Sequence, residues 1–257
     1  MIQKVFYFPQ IFPIFQEAHD FFVNTKKQTA TQHLFTNKQL RTLLVPIMVE
    51  QLLSSLMGTA DTMMVSNVGS AAISAVSLVD AINILVIQAL SALAAGGAIL
   101  CSQYLGSQNL KKAKRSAEQV LFVMLVLSCS LSLLCLIFRF PLLRLIFGTV
   151  DTDVMANSQI YFFFTLLSFP FIGLYDAGAS ILRAQNNTKG PMTISILSNF
   201  LNIGGNAILI FVFGMGVAGA AISTLVSRIF CAIVVIWQLR NPAEQIYVRN
   251  YFSIRPD

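Results

Sequence analysis

Residues 192–239 read MTISILSNFLNIGGNAILIFVFGMGVAGAAISTLVSRIFCAIVVIWQL, two apolar runs separated only by the glycine-rich turn GMG at 214–216. Each run, 192–213 and 217–239, is close to the length of about 20 residues that a helix needs to cross the hydrocarbon core of a bilayer. Because glycine permits the backbone conformations of a tight turn, we expect two antiparallel transmembrane helices here. Two adjoining runs this apolar predict a membrane protein.

Four further apolar runs precede this pair, at 43–66, 74–100, 119–139 and 158–182. The 257 residues are 56% hydrophobic and only 11% charged, and the mean hydropathy is +0.71. Ordinary soluble domains contain about 25% charged residues, and disordered chains have low hydrophobicity, so both classes are excluded. The sequence predicts an all-α membrane protein, a bundle of six transmembrane helices.

The basic residues are distributed unequally between the two sides of the predicted bundle. Fourteen lie on the side of the termini and only two, Arg139 and Arg144, on the other. By the positive-inside rule, both termini of this multi-pass protein are expected in the cytoplasm, with the spans in the plasma (cytoplasmic) membrane. The net charge of +6 is therefore read as a topology signal for a lipid environment, and no nucleic-acid partner is expected.

Three regions follow from this pattern. Residues 1–40 form an N-terminal cytoplasmic or interfacial extension, 41–240 form the six-span lobe, and 241–257 form a cytoplasmic tail. The opening MIQKVFYFPQIFPIF is rich in aromatic residues but too short to span a bilayer. Two interpretations of it stay open, an interfacial anchor and an incidental extension from an early start codon.

Carboxylates inside the predicted spans are costly in hydrocarbon, so they usually face a cavity or a partner. Glu50 and Asp61 lie eleven residues apart on span 1, which places them on one face and about 16 Å apart along the axis. Asp80 lies near the outer end of span 2, where it has two alternatives, the cavity or the headgroup region. Glu50 and Asp80 are candidate cavity-lining residues. Pro46, near the start of span 1, is a predicted helix kink.

Span 5 carries a stripe of polar residues at spacings of four, three and four, which puts them on one helix face. They are Ser195, Asn199, Asn202 and Asn206. Asparagines in a membrane helix also serve to bond a neighbouring helix, and this alternative stays open beside a cavity-lining role. Asn199 is included among the cavity-lining candidates.

Two further charged positions have structural interpretations. Asp176 and Arg183 lie seven residues apart on one face of span 4, which predicts an interfacial ion pair. Arg228, in the middle of span 6, is expected to pair with an acid or a carbonyl. The chain contains no HExxH, GxSxG or P-loop motif, so we predict that it is not an enzyme and needs no cofactor.

Three stretches together resemble the multidrug and toxic compound extrusion (MATE) family. They are ADTMMVSNVGSAAISAVSL at 60–78, the link from PLLRLIFG at 141–148 to ILRAQNNTKGPM at 181–192, and NFLNIGGNAILIFVFGMGVAGAAIST at 199–224. The resemblance covers about residues 35–257 in register, without a large gap. Each motif alone is moderately specific, but the order and spacing of the three motifs together are strong evidence for the resemblance.

The resemblance implies xenobiotic export by alternating access, in which a proton or Na⁺ is exchanged for a cationic amphipathic drug or toxic metabolite. The resemblance makes Asp61 the carboxylate that couples ion movement to export, by binding either a proton or Na⁺. It also places Asn202 and Asn206 at matching positions of span 5. Some family members carry an aspartate where this chain has Asn206. This departure leaves one acid in that cluster and makes a relay between paired carboxylates doubtful.

The resemblance also implies a twelve-helix transporter of two six-helix lobes, of which this chain is the N-terminal one. We therefore expect a truncated or split gene product, or a half-transporter whose second lobe is a separate chain or a second copy. Two alternatives to drug export are kept. One is a lipid-linked saccharide flippase of the same superfamily, and the other is a non-transporting membrane interaction subunit.

Overall fold

The computed structural model describes residues 37–148, 150–242 and 244–248. Its regular structure in these ranges is helical, and six helices are long and apolar enough to cross a membrane, which confirms the expected fold class. The helices are α1 (Asn37–Ser66), α2 (Ser70–Gly106), α3 (Leu110–Ile137), α4 (Arg139–Phe147), α5 (Thr152–Ala184), α6 (Lys189–Asn206) with a π-helical turn (Ala207–Val212), and α7 (Gly216–Leu239).

Spans 1 to 6 are thus α1, α2, α3, α5, α6 with its π-helical turn, and α7. Residues 1–36 of the predicted extension and 249–257 of the predicted tail lie outside the described residues. The domain boundaries, including the interfacial anchor, therefore stay predictions. The end of the bundle that the charge distribution predicts to be cytoplasmic is called the inner end.

The connection between spans 2 and 3 is shorter than the hydropathy pattern indicates. Helix α3 begins at Leu110, and the Asn109 side chain accepts a hydrogen bond from the backbone N–H of Lys112 at 3.2 Å. The basic cluster at 111–115, expected in a loop, is therefore helical. Hydropathy marks only the part of a helix inside hydrocarbon, whereas a capped helix continues into the polar interface.

The outer connection between spans 3 and 4 contains the short helix α4. This helix is amphipathic, since it buries Leu143 completely while Leu145 is 86% exposed. The helix ends at Gly148, whose φ is 62°. That left-handed conformation favours glycine because other side chains are strained there.

Helix α5 is the centre of the lobe, and α2, α3 and α7 all pack against it, while α6 pairs with α7. The large side chains of Phe162, Leu166 and Phe169 are fully buried along α5. Gly173 allows α3 to approach closely, since a Cβ atom there would lie 2.8 Å from the Cβ of Ser128. Small residues at such contacts are typical of membrane helix packing.

Helix α1 packs differently from the other spans. In the described part of the chain, its backbone makes no extensive close contact with another helix. Along its length Met48, Leu52 and Leu56 are each more than 60% exposed. Because little apolar packing holds α1, its polar side chains become decisive for its position.

The segment that follows α7 returns to the inner end of the bundle. The Gln185 side chain donates to the carbonyl of Ile246 at 3.2 Å and accepts from its N–H at 2.8 Å. The N–H of Val248 donates to the carbonyl of Leu239 at 2.9 Å. Both Ile246 and Val248 are fully buried, so residues 244–248 are fixed to the inner ends of α5 and α7.

Gly173→Ala should destabilise the lobe, because the new Cβ would force α3 and α5 apart. Overpacking of this kind costs about 1–3 kcal/mol. Gly96→Ala is the matched control, since a Cβ at Gly96 meets no atom within 4 Å and alanine is the better helix former. Thermal unfolding followed by size-exclusion chromatography measures the difference, and equal midpoints for the two variants would contradict the close approach of α3 and α5.

Candidate functional site

A buried polar cluster joins α1 to the outer end of α6. The Asn206 amide donates to the carboxylate of Asp61, and it also lies 3.4 Å from the side-chain oxygen of Asn202. Asp61 is 5% exposed, and both asparagines are fully buried. The four-residue spacing of Asn202 and Asn206 puts them one helical turn apart on the same face, so both amides reach the region of Asp61.

Helix α7 completes the cluster with two hydroxyl groups. Asn202 donates to the hydroxyl of Thr224 at 3.3 Å, and the Ser223 hydroxyl donates to the backbone carbonyl of Asn202 at 2.8 Å. Thr224 also interacts with the Asp61 carboxylate. Thr224 is not among the candidate residues of the sequence analysis. The adjacent hydroxyl residues in an otherwise apolar span were the available signal.

The helical register changes immediately after this cluster. The π-helical turn follows directly on Asn206, and the N–H of Phe213 donates to the carbonyl of Ile208 at 3.1 Å. Single π-helical turns inside α-helices are rare and frequently occur at functional sites. The apolar run gave no indication of this turn, because hydropathy does not distinguish π from α register.

One oxygen of the cluster lacks a partner. The side-chain oxygen Oδ1 of Asn206 is buried and has no hydrogen-bond partner among the described residues. A buried unsatisfied acceptor costs about 1–3 kcal/mol. Carboxylate, amide and hydroxyl oxygens are ligands of hard cations. No group of three or more His, Cys, Asp or Glu side chains in the described ranges is arranged to hold a metal ion.

A second carboxylate, that of Asp80, faces the neighbouring helix α5. The Oδ1 atom of Asp80 accepts from the hydroxyl of Tyr161 and from the amide of Asn83, each at 3.2 Å. Tyr161 is 3% exposed, so Asp80 points inward from α2. Asp80 interacts electrostatically with Asp61 but shares no hydrogen bond with it in the described structure.

Arg228 lies among these acids, and its guanidinium forms no direct ion pair with another described residue. Its guanidinium donates to the hydroxyl of Ser168 at 2.6 Å, which corrects the expected acid or carbonyl partner. Its charge interacts with Asp61, Asp80 and Asp176 over longer distances. Sequence spacing could not reveal Ser168, because the contact depends on how α5 and α7 pack together.

Glu50 forms a separate site near the inner end of α1. Its Oε1 atom accepts from the Arg183 guanidinium at 2.6 Å and from the Tyr175 hydroxyl at 2.8 Å. The expected Asp176–Arg183 pair is therefore wrong, and Asp176 accepts from Ser91 at 2.6 Å. Seven residues along a helix separate two groups by about 10 Å, whereas α1 brings Glu50 directly to Arg183.

The remaining candidates are placed as follows. Asn199 is 7% exposed, but its amide donates to the backbone carbonyl of Ser195 on its own helix at 2.8 Å. It therefore shares the polar face without a direct bond to Asp61. Pro46 lies inside α1, which continues as a helix on both sides of it, and the kink stays a prediction. Helix α1 is thus attached through Asp61 in its outer half and through Glu50 near its inner end.

Replacement of Glu50 should show energetic coupling to Arg183. Glu50→Gln, Arg183→Gln and the double variant form a cycle, and residues in direct contact show interaction energies of about 0.5–3 kcal/mol. The side chain of Arg183 is 30% exposed, and water weakens the attraction between the two charges. We therefore expect an interaction energy in the lower half of that range. The Asp176→Asn and Arg183→Gln cycle is the control, and stronger coupling there than in the Glu50 cycle would contradict the observed pairing.

Comparison with known proteins agrees with the resemblance drawn from the sequence. The MatE family model matches residues 46–208. The chain is 33% identical over 196 residues to the uncharacterized transporter YisQ of Bacillus subtilis, covering 74% of this chain and 42% of that protein. It is 28% identical over 198 residues to the probable multidrug resistance protein NorM of Thermotoga maritima, covering 74% and 42%.

The fold agrees with solved transporters as well. A multidrug resistance MATE family transporter in an outward-facing conformation superposes with a TM-score of 0.76 at 24% identity, covering 82% of this chain and 47% of the other. The chain thus spans less than half the length of these relatives. Both YisQ and this superposed protein are described as transporters. From its six-span fold and the match over most of its spans, the chain belongs to the MatE family of membrane transporters.

Proposed function

We propose that this chain is one lobe of a cation-coupled antiporter that exports cationic amphipathic drugs or toxic metabolites. The observation that carries the proposal is the buried contact between Asp61 on α1 and Asn206 at the end of α6. A carboxylate at this depth requires neutralisation by a partner, a proton or a cation. Asp61 with the oxygens of Asn202, Asn206 and Thr224 supplies ligands for H⁺ or Na⁺ coupling.

The charge of the lobe interior supports a cationic substrate. In the polar contacts between the helices described above, four carboxylates lie buried or half-buried, against two guanidinium groups. The carboxylates are those of Glu50, Asp61, Asp80 and Asp176, and the guanidinium groups are those of Arg183 and Arg228. An excess of negative charge in a cavity attracts cations. A flippase that binds phosphate groups would need the opposite balance, so this alternative is disfavoured.

Ion binding at Asp61 provides a route to movement of α1. In the proposed ion-bound state, the Asn206 side chain turns its oxygen, and no longer its NH₂ group, toward the cation at Asp61, and few close backbone contacts hold α1. A ligand shifts a conformational equilibrium by the difference in its affinity for the two states. We infer that cation binding at Asp61 changes the attachment of the outer half of α1, while the Glu50–Arg183 pair keeps its inner half in place.

Alternating access requires two bodies that move about a shared site. The proposed export therefore involves a second six-helix lobe, as a separate chain or a second copy. The positive-inside asymmetry supports insertion in the cell membrane with both termini cytoplasmic.

A non-transporting interaction subunit would have no need of a buried carboxylate beside an amide oxygen that lacks a partner among the described residues, and this observation favours the transport role.

Asp61→Asn should abolish ion-driven export, because an amide can neither take up a proton nor neutralise a cation. Ethidium efflux from an efflux-deficient host that co-expresses this chain and a matching C-terminal lobe measures the loss. Asp153→Asn is the control, since Asp153 is exposed at the outer end of α5. Gradient-driven efflux at the wild-type rate by a properly inserted Asp61→Asn variant would refute the assignment.

Asn206→Ala and Asn199→Ala distinguish a specific ligand from a general polar stripe. Both asparagines are buried on the same face of α6, but only Asn206 contacts Asp61. The Asn206 oxygen, which lacks a partner among the described residues, is the proposed Na⁺ ligand beside Asp61, so Asn206→Ala should weaken the apparent Na⁺ affinity of export by roughly 10- to 100-fold. Asn199→Ala should change it by less than about threefold, and similar losses in both variants would show that the stripe acts only in packing.

A further inference from the structure

A second group of polar side chains lies between α2 and α5 and shares no hydrogen bond with Asp61. The Oδ1 atom of Asp80 accepts from the amide of Asn83 and from the hydroxyl of Tyr161, each at 3.2 Å. The other carboxylate oxygen of Asp80, Oδ2, takes part in neither of these bonds. The two protein donors thus lie on one oxygen, and the other oxygen is available to a positively charged ligand.

Asn83 supplies a second oxygen that needs a partner. The residue is 2% exposed, and its side-chain Oδ1 atom is buried without a hydrogen-bond partner among the described residues. Because the NH₂ group of the same amide contacts Asp80, this oxygen lies beside the carboxylate. Most buried polar groups in native structures have a partner. The buried oxygen of Asn83 therefore indicates a ligand independently of the charge of Asp80.

The neighbouring charges do not neutralise Asp80 through a direct contact. The Arg228 guanidinium acts on Asp80 from a distance, whereas it donates its hydrogen bond to the hydroxyl of Ser168 at 2.6 Å. Asp61 and Asp176 also interact with Arg228, so three acids share this guanidinium. Uncompensated negative charge inside a membrane protein is costly, and a bound cation would remove that cost.

We propose that Asp80 and Asn83 bind a sodium ion, through Oδ2 of the carboxylate and Oδ1 of the amide. Both ligands are oxygens, which hard cations prefer, and a cation interacts with both at once, whereas a proton is bonded to the carboxylate alone. Asn83 follows Asp80 by three residues on α2, so helical periodicity puts the two ligands on one face. The Tyr161 hydroxyl contacts the carboxylate from α5. This site is distinct from the proposed coupling site at Asp61.

Binding of radioactive Na⁺ to the purified chain tests the site, with Asp61→Asn introduced so that the coupling site contributes no carboxylate. We expect saturable Na⁺ binding in this background. Addition of Asp80→Asn or Asn83→Leu should weaken that binding by at least about 10-fold, because loss of even an outer-shell partner of a metal typically costs about 10- to 100-fold in affinity. Since every sample lacks the Asp61 carboxylate, failure of the proposed coupling would not change this result.

Matched variants separate a bound ion from surface charge and from misfolding, with all proteins compared as monodisperse fractions. Asp153→Asn removes an exposed carboxylate from α5, and Gln88→Leu removes an exposed amide from α2; both should leave Na⁺ binding unchanged. Asn83→Asp keeps an oxygen at the site and should retain the binding that Asn83→Leu loses. No saturable binding in the Asp61→Asn background, equal binding after Asp80→Asn and Asp153→Asn, or loss in both Asn83 variants would overturn the proposal. Uptake of a proton without Na⁺ would overturn it in favour of a proton site.

Discussion

The hydrogen bond from Asn206 to Asp61 follows from a strict constraint of the membrane interior, where a polar group without a partner in the protein has none at all. Apolar side chains on α1 gain little from neighbouring helices, since lipid tails are equally apolar. The position of α1 therefore depends on its two carboxylates. Asp61 reaches the end of α6, and Glu50 reaches Arg183 and Tyr175 on α5.

The helices around α5 are held together mainly by close packing. Close approach of backbones, as at Gly173 against Ser128, and large buried side chains such as Phe162 and Phe169 make this part of the lobe dense. Dense packing resists small displacements. The lobe thus combines a rigid body of α2, α3, α5 and α7 with one helix attached by polar contacts, and the π-helical turn after Asn206 lies at the junction of the two.

The inner end shows how loop residues gain a role through tertiary contacts. In the stretch ILRAQNNTKGPM, Arg183 binds Glu50, Gln185 holds the backbone of Ile246, and Asn187 binds Glu244. This short connection thereby fixes α1, α5 and the segment after α7 to each other. In the same stretch, Lys189 and Gly190 line a groove that also includes Trp237 of α7. Its amino-acid composition alone indicates only a polar loop.

The sequence by itself determined the six spans, because bilayer thickness sets the length of an apolar run, and it determined the shared face of Asn202 and Asn206, because helical periodicity is local. The sequence could not show which polar side chains of different helices contact each other. Asp176 and Arg183 satisfy the spacing rule, yet Arg183 binds Glu50, 133 residues earlier. The contributions of Thr224 to the cluster and of Ser168 to Arg228 likewise depend on α7 packing against α6 and α5. Contacts between distant helices arise from three-dimensional packing, which periodicity along one helix does not encode.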